Sequence, residues 1–263
     1  MVVHQPRASS RRVRTGRRAS IDTKECLLDA AERLFAAHGL EAVSLRMINA
    51  AAGARNASAT HYHFRSRESL LKAVARRRMD KLSNERLELL EKAERTAAGR
   101  PDVRAIVEAL AVPTFRMLLD DSGGRDYVRF LARAATDPTV RLSELATESF
   151  NHVIGTAFAM LRRAVPHVPT AVLRDRMLFG IDIGVLAPLQ IDRLAQDDGG
   201  TIERDKLEIL AARVVDFIAG ALSAPISAAR LSLAGVPVDA PDGGPVDRFD
   251  SGFNTGHNPF NLL

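Results

Sequence analysis

Two glycines, Gly39 and Gly53, and the capping residues between them punctuate the stretch from Asp22 to Leu71 into one longer and two short helices, and this constrains the fold more than any other feature. Asp22-Thr23-Lys24-Glu25 reads as a capping box opening a first helix. Leu27, Ala31, Leu34, Phe35 and His38 then fall on one helical face. Gly39 stops that helix as a left-handed C-cap would. Ser44 suits the N-cap of a second helix with Leu45, Ile48 and Ala52 inside. Gly53 ends it after barely two turns. Asn56 can cap a third short helix reaching about Phe64. Ser66 caps a fourth, with Glu68 where the helix dipole favours an anion. A longer helix followed by two short ones around a glycine is the outline of a helix-turn-helix.

A recognition helix needs one face to pack and the opposite face to meet the major groove. With Thr60 inward, Phe64 and Ala57 share its side at 100° per residue, while Ser58 and Tyr62 point away. Ala59 and His61 flank that outer face. Arg55 stands just before it, and Arg65 and Arg67 just after. Hydroxyl, phenol, imidazole and guanidinium groups bond base edges and phosphates. The competing reading is a surface helix of an all-α bundle with incidental polar residues. The short lengths, caps and basic flanks weigh against it.

The charge is unevenly distributed. Residues 1–100 hold 21 Lys/Arg against 11 Asp/Glu, and the remainder hold 16 against 21. Arg7, Arg11, Arg12, Arg14, Arg17 and Arg18 fall in the first twenty residues without an acid. Such an arm attracts polyanions through counterion release; a solvated leader without a partner fits the composition equally. Residues 1–20 lack apolar periodicity and read as a disordered basic arm. Residues 21–75 then form the helix-turn-helix domain and 76–223 a larger helical domain. Residues 224–263, rich in glycine and proline, read as a mostly disordered tail.

In the larger domain the expected helices are Pro101–Leu119, Arg125–Ala135, Pro138–Val165, Thr170–Gln196 and Thr201–Ser223. Leu173, Met177, Gly180, Gly184, Ala187, Ile191 and Leu194 make a seam of coiled-coil spacing, small at its centre. Leu207, Leu210, Val214, Phe217 and Ala221 make a second. Ala211, Val215, Ile218 and Leu222 give that helix another apolar face, so it must bury two sides. One side belongs to its own core. The other needs a second surface, in a partner copy or within the monomer. Phe115, Tyr127, Phe130, Phe150 and Phe158 either line an effector cavity or are simply core.

Several chemistries are missing. The chain lacks the nucleophile-elbow, P-loop and dinucleotide-binding glycine patterns, so no enzyme or cofactor is expected. His61 and His63 diverge at i, i+2 on a helix, so no metal site is expected. The single cysteine, Cys26, rules out an intrachain disulfide and reads as a buried, inert thiol. Uncharged runs such as Ser149–Leu161 are about 13 residues long, short of the roughly 18 a membrane span needs. A soluble, cytoplasmic protein with no membrane partner is the expectation.

Cys26-Leu27-Leu28-Asp29-Ala30-Ala31-Glu32-Arg33-Leu34-Phe35, then His38-Gly39 and Ser44-Leu45-Arg46, resembles the TetR family of bacterial transcriptional regulators. So does Ala52-Gly53 followed by His61-Tyr62-His63-Phe64-Arg65-Ser66-Arg67-Glu68-Ser69-Leu70-Leu71. The resemblance covers about residues 22–75. It implies an all-α dimer, with an N-terminal three-helix helix-turn-helix domain joined to a larger ligand-binding and dimerisation domain. By position it makes Ser44, Arg46, Tyr62 and Arg67 backbone- or groove-facing, and Ser58, Ala59 and His61 the base-reading patch; Arg55 and Asn56 adjoin it. It pairs the last two helices across the dimer, through Met177, Gly180, Gly184, Ala187, Ile191, Leu210, Val214 and Phe217. The segment Ala164-Val165-Pro166-His167-Val168-Pro169 looks like that of fatty-acid-responsive members, which implies a small hydrophobic, acyl or lipid-like effector. The implied function is a ligand-released repressor on a palindromic double-stranded DNA operator. The alternative is a helical small-molecule-binding or enzyme-like protein with non-specific nucleic-acid affinity. Three features depart from the family pattern. The segment Gly53–Phe64 is one residue longer, Asn49 replaces a small alanine, and Thr60 replaces a larger apolar residue.

Overall fold

The computed structural model describes residues 11–54, 59–97, 99–120, 122–140, 142–197 and 202–226, and among these it is all-helical. The chain divides into two compact units, Met1–Val74 and Ala75–Leu263.

In the first unit, α1 (Arg11–His38) packs on α2 (Leu45–Ala51) and α3 (Ala59–His63), and α2 packs on α3. Leu27, Ala31 and Phe35 of α1, Ile48 of α2 and Phe64 after α3 are all buried and make up the small apolar core of this unit. Gly39 ends α1 at φ 84° and Gly53 ends α2 at φ 63°, the left-handed conformation that costs glycine least. Ser44 caps α2 by accepting from the Met47 amide at 3.3 Å.

The sequence starts the first helix at Asp22, but α1 begins at Arg11. Residues 11–20 therefore continue a helix, and only residues 1–10 of the expected disordered arm lie outside the described residues. Arginine and alanine are good helix formers, and a helix nucleated in the core extends outward at little cost. The expected buried thiol is also corrected. Cys26 is exposed, because its position on α1 misses the face carrying Leu27, Ala31 and Phe35.

Helix α4 (Arg67–Thr96) begins in the first unit and continues in the second. The second unit adds α5 (Val103–Arg116), α6 (Gly124–Thr136), α7 (Leu142–Leu145), α8 (Glu148–Ala164), α9 (Thr170–Asp197) and α10 (Arg204–Ser223). Helix α5 packs on α8, α9 and α10, and α6 packs on α9. The single helix expected over Pro138–Val165 is two. Thr147 is extended and its hydroxyl accepts from the Phe150 amide at 3.2 Å, so it opens α8 as an N-cap. Residues 224–226 of the expected tail are non-helical, and 227–263 lie outside the described residues.

Candidate functional site

Helix α3 is short, so its orientation depends on what it rests against. Thr60 and Phe64 point into the core, and Tyr62, between them, is 80% exposed. The Tyr62 ring meets His63 edge-on at 5.0 Å, which braces the phenol outward. Arg46 and Met47 of α2 are exposed, as is Ser44. Arg55, Asn56 and Ser58 lie outside the described residues, as do the side chains of Ala59 and His61.

The two polar departures from the family pattern meet. The Asn49 Oδ1 accepts from the Thr60 amide at 3.1 Å and from the Thr60 hydroxyl at 2.8 Å. Both residues are buried. An N–H in the first turn of a helix has no intrahelical acceptor, so Asn49 of α2 caps α3 from across the turn. Bonding both Thr60 groups avoids the desolvation cost each would carry alone. The sequence marked each residue as unusual without linking them, because eleven positions of turn separate them.

Arg67, expected to face the groove, turns inward instead. Its Nη2 donates to the Leu40 carbonyl, and its Nε is sealed without a partner. It ties the start of α4 to the turn before α2. An arginine just past a short helix reaches back as easily as outward, and spacing does not distinguish the two.

The five aromatics proposed for an effector separate into two groups. Phe115, Tyr127, Phe130 and Phe158 are fully buried, and the Tyr127 hydroxyl donates to the Ala75 carbonyl at 2.6 Å. These four are core. Phe150 is half-buried, and its ring faces the Arg86 guanidinium at 5.8 Å. Arg86 was not anticipated. The signal was present: Met79, Leu82, Arg86, Leu90 and Ala93 share the inward spacing of α4, and one of them is charged.

The expected interface residues also separate. Met177 and Ile191 are buried within their own chain. A Cβ on Gly180 would lie 3.1 Å from Ile218 Cγ2, so Gly180 is where α9 approaches α10. A Cβ on Gly184 would meet nothing within 4 Å. Ala187, Leu210 and Val214 are half-buried. Phe217 is 64% exposed, as is Phe179, and Ile209 is 55% exposed. The α9 seam thus faces inward at its ends, because Leu173, Met177 and Ile191 fill the core. The unpartnered apolar surface is carried by Phe179, Ile209 and Phe217, of which the sequence had singled out only Phe217. No described helix is long and apolar enough to cross a membrane.

Residues 27–74 match the family described as bacterial regulatory proteins, tetR family. Residues 108–221 match the one described as tetracyclin repressor-like, C-terminal domain. The fold is similar to that of a tetR family transcription regulator from Shewanella sp. PV-4, at 18% identity and TM-score 0.50, covering 76% of this chain and 97% of that one. A TetR family transcription regulator from Marinobacter aquaeolei VT8 aligns at 20% identity and TM-score 0.45, covering 76% and 97%. Full-length tylp, a tetR regulator from Streptomyces fradiae, aligns at 17% identity and TM-score 0.43, covering 90% and 98%. No protein of curated function matches the chain in sequence.

Proposed function

Because the chain belongs to the TetR family of bacterial transcription regulators, we propose that it is a cytoplasmic, ligand-released repressor. It acts as a homodimer on a palindromic double-stranded DNA operator and performs no catalysis. The observation that carries this reading is the outward face of the first unit. There Tyr62 of α3 and Ser44 and Arg46 of α2 are exposed on two helices that pack on one another. Ser58, Ala59 and His61 would read bases, with Arg55 and Asn56 beside them. Tyr62, Ser44 and Arg46 would bond phosphates. The arginines before Asp22 would add sequence-independent affinity by displacing counterions. Arg67 is left out, since its guanidinium is engaged at the Leu40 carbonyl.

Phe179, Ile209 and Phe217 support the dimer, with Leu210 and Val214 at their margin. Large exposed apolar side chains on two packed helices mark a protein contact. A two-fold dimer reads two half-sites one helical turn apart, which is why the operator should be palindromic. A small apolar, acyl-like effector would bind in the second unit and shift the population away from the DNA-binding form.

Selection from a pool of random duplexes tests this reading. A palindromic consensus bound about 10³-fold or more above bulk DNA is expected. Recovery without any consensus would favour the alternative of a helical protein with non-specific nucleic-acid affinity.

A further inference from the structure

A very short helix cannot hold its own direction. Helices below about 12–15 residues are marginal in water, so their placement comes from what they are tied to. Helix α3 spans only Ala59–His63. The Phe64 amide donates to the Thr60 carbonyl at 2.7 Å and closes its last turn.

Asn49 is bonded on both sides of the turn that joins α2 to α3. Its backbone carbonyl accepts from the Ala54 amide at 3.0 Å, while the Gly53 amide donates to the Ala50 carbonyl at 3.1 Å. With Gly53 left-handed, these two bonds form a Schellman motif that stops α2. The Asn49 Oδ1 accepts from the Thr60 amide at 3.1 Å and the Thr60 hydroxyl at 2.8 Å, where α3 starts. Asn49 is 5% exposed and Thr60 0%, so water does not compete for these bonds. One buried residue thus takes part in the end of α2 and in the start of α3.

We propose that Asn49 is a positioning residue for base reading: by fixing α3 on α2 through Thr60, it sets the aim of the outward face and so the sequence selectivity of the protein, without touching DNA itself. This rests on the regulator reading above and adds the residue that makes it selective. Thr60 and Tyr62 lie on opposite sides of α3, one sealed and one exposed. A helix with its side chains is about 10–12 Å across, so a tilt of about 10° at the Thr60 anchor moves an outward group by about 2 Å. A hydrogen bond to a base edge tolerates on the order of 0.3 Å. Attraction to phosphates falls off far more gradually and survives such a shift. Loosening α3 therefore costs selectivity before it costs bulk affinity.

Equilibrium titration of the full chain on its selected duplex and on a scrambled duplex of equal length tests this, at fixed salt and below the melting temperature of each variant. Asn49→Leu keeps a similar side-chain size and removes Oδ1. It should lower the ratio of the two affinities at least about tenfold, the size of one mismatched base pair, with scrambled-duplex affinity and its salt slope unchanged. Thr60→Ser retains amide and hydroxyl and should keep the ratio, whereas Thr60→Val loses the hydroxyl alone and should fall between. A folded Asn49→Leu that keeps the ratio overturns the proposal, as does an equal loss on both duplexes, which marks a purely structural role. If Asn49→Leu does not fold, a Thr60→Val ratio equal to that of Thr60→Ser overturns it in the same way. A wild-type chain that selects no duplex fails the regulator reading and this proposal with it, while wild-type selectivity with unmoved variant ratios fails this proposal alone.

Discussion

The two units use polarity in opposite ways. In Met1–Val74 the interior polar pair, Asn49 with Thr60, is satisfied within the unit, and the outward Tyr62 has no apolar cover. In Ala75–Leu263 the surface carries large apolar side chains, Phe179, Ile209 and Phe217, and the half-buried Arg86 is held by two neutral groups of α5. A unit that meets a polyanion needs polar groups outside. A unit that meets a second copy, as proposed, needs apolar groups outside. The contrast is the one that DNA for the first unit and a second copy for the second, as proposed, would require.

The largest expected effect breaks the apolar surface of the second unit. Phe217→Glu places a charge at the centre of the proposed dimer face, where hot-spot losses of about 2 kcal/mol or more are usual. Sedimentation should show a folded monomer, and operator affinity should fall with it, because one head reads only a half-site. A Phe217→Glu protein that remains dimeric would move the interface elsewhere.

On the first unit, Tyr62→Phe removes one outward hydroxyl and nothing from the core. If that hydroxyl bonds a phosphate, operator affinity should drop by about 1.5–3 kcal/mol with the melting temperature unchanged. Equal losses on operator and unrelated duplex would mark Tyr62 as a backbone contact, and unchanged affinity in a titration at fixed salt would remove it from the interface.

Asn49→Ala acts on the same helix from behind. It leaves the buried Thr60 amide and hydroxyl without Oδ1, an expected loss of about 1–3 kcal/mol in denaturant unfolding. Asn49→Ala with Thr60→Val removes the hydroxyl as well and should recover part of that loss. If the single change costs nothing, the pair is not what holds α3.

The smallest effect separates two glycines of α9. Gly180→Leu should destabilise the chain by about 1–3 kcal/mol, because Ile218 Cγ2 lies 3.1 Å from its Cβ position and the remaining leucine atoms crowd the same α9–α10 contact. Gly184→Leu should leave melting unchanged or slightly raised, since no atom lies within 4 Å of its Cβ position and leucine favours helix over glycine. Similar losses at both positions would mean that the two glycines share one packed surface.

The first unit was largely legible in the sequence, and for a physical reason. Its helices are so short that caps and glycines carry most of the information, and Gly39, Ser44 and Gly53 act where the pattern places them. The start of α1 was not legible, because residues 11–20 carry no apolar stripe and helix extension needs none. The break before α8 depends on one threonine hydroxyl, which apolar spacing does not register. In the second unit, Phe115 and Phe150 look alike as letters, yet one is sealed and the other half-buried. Apolar composition is the same for a core and for a pocket wall, so only geometry separates them.

The central claim is that a dimer of this chain reads a specific duplex through the outward face of its first unit. Its most direct test is an equilibrium titration of the full chain on the selected duplex and on the same duplex with one half-site permuted, at about 150 mM salt, where surface attraction is largely screened. The account predicts two protomers per intact duplex and an affinity lower by about 10³ on the permuted one, each mismatched pair costing about 1–3 kcal/mol. Equal affinity for both duplexes, falling in parallel as salt rises, would contradict it.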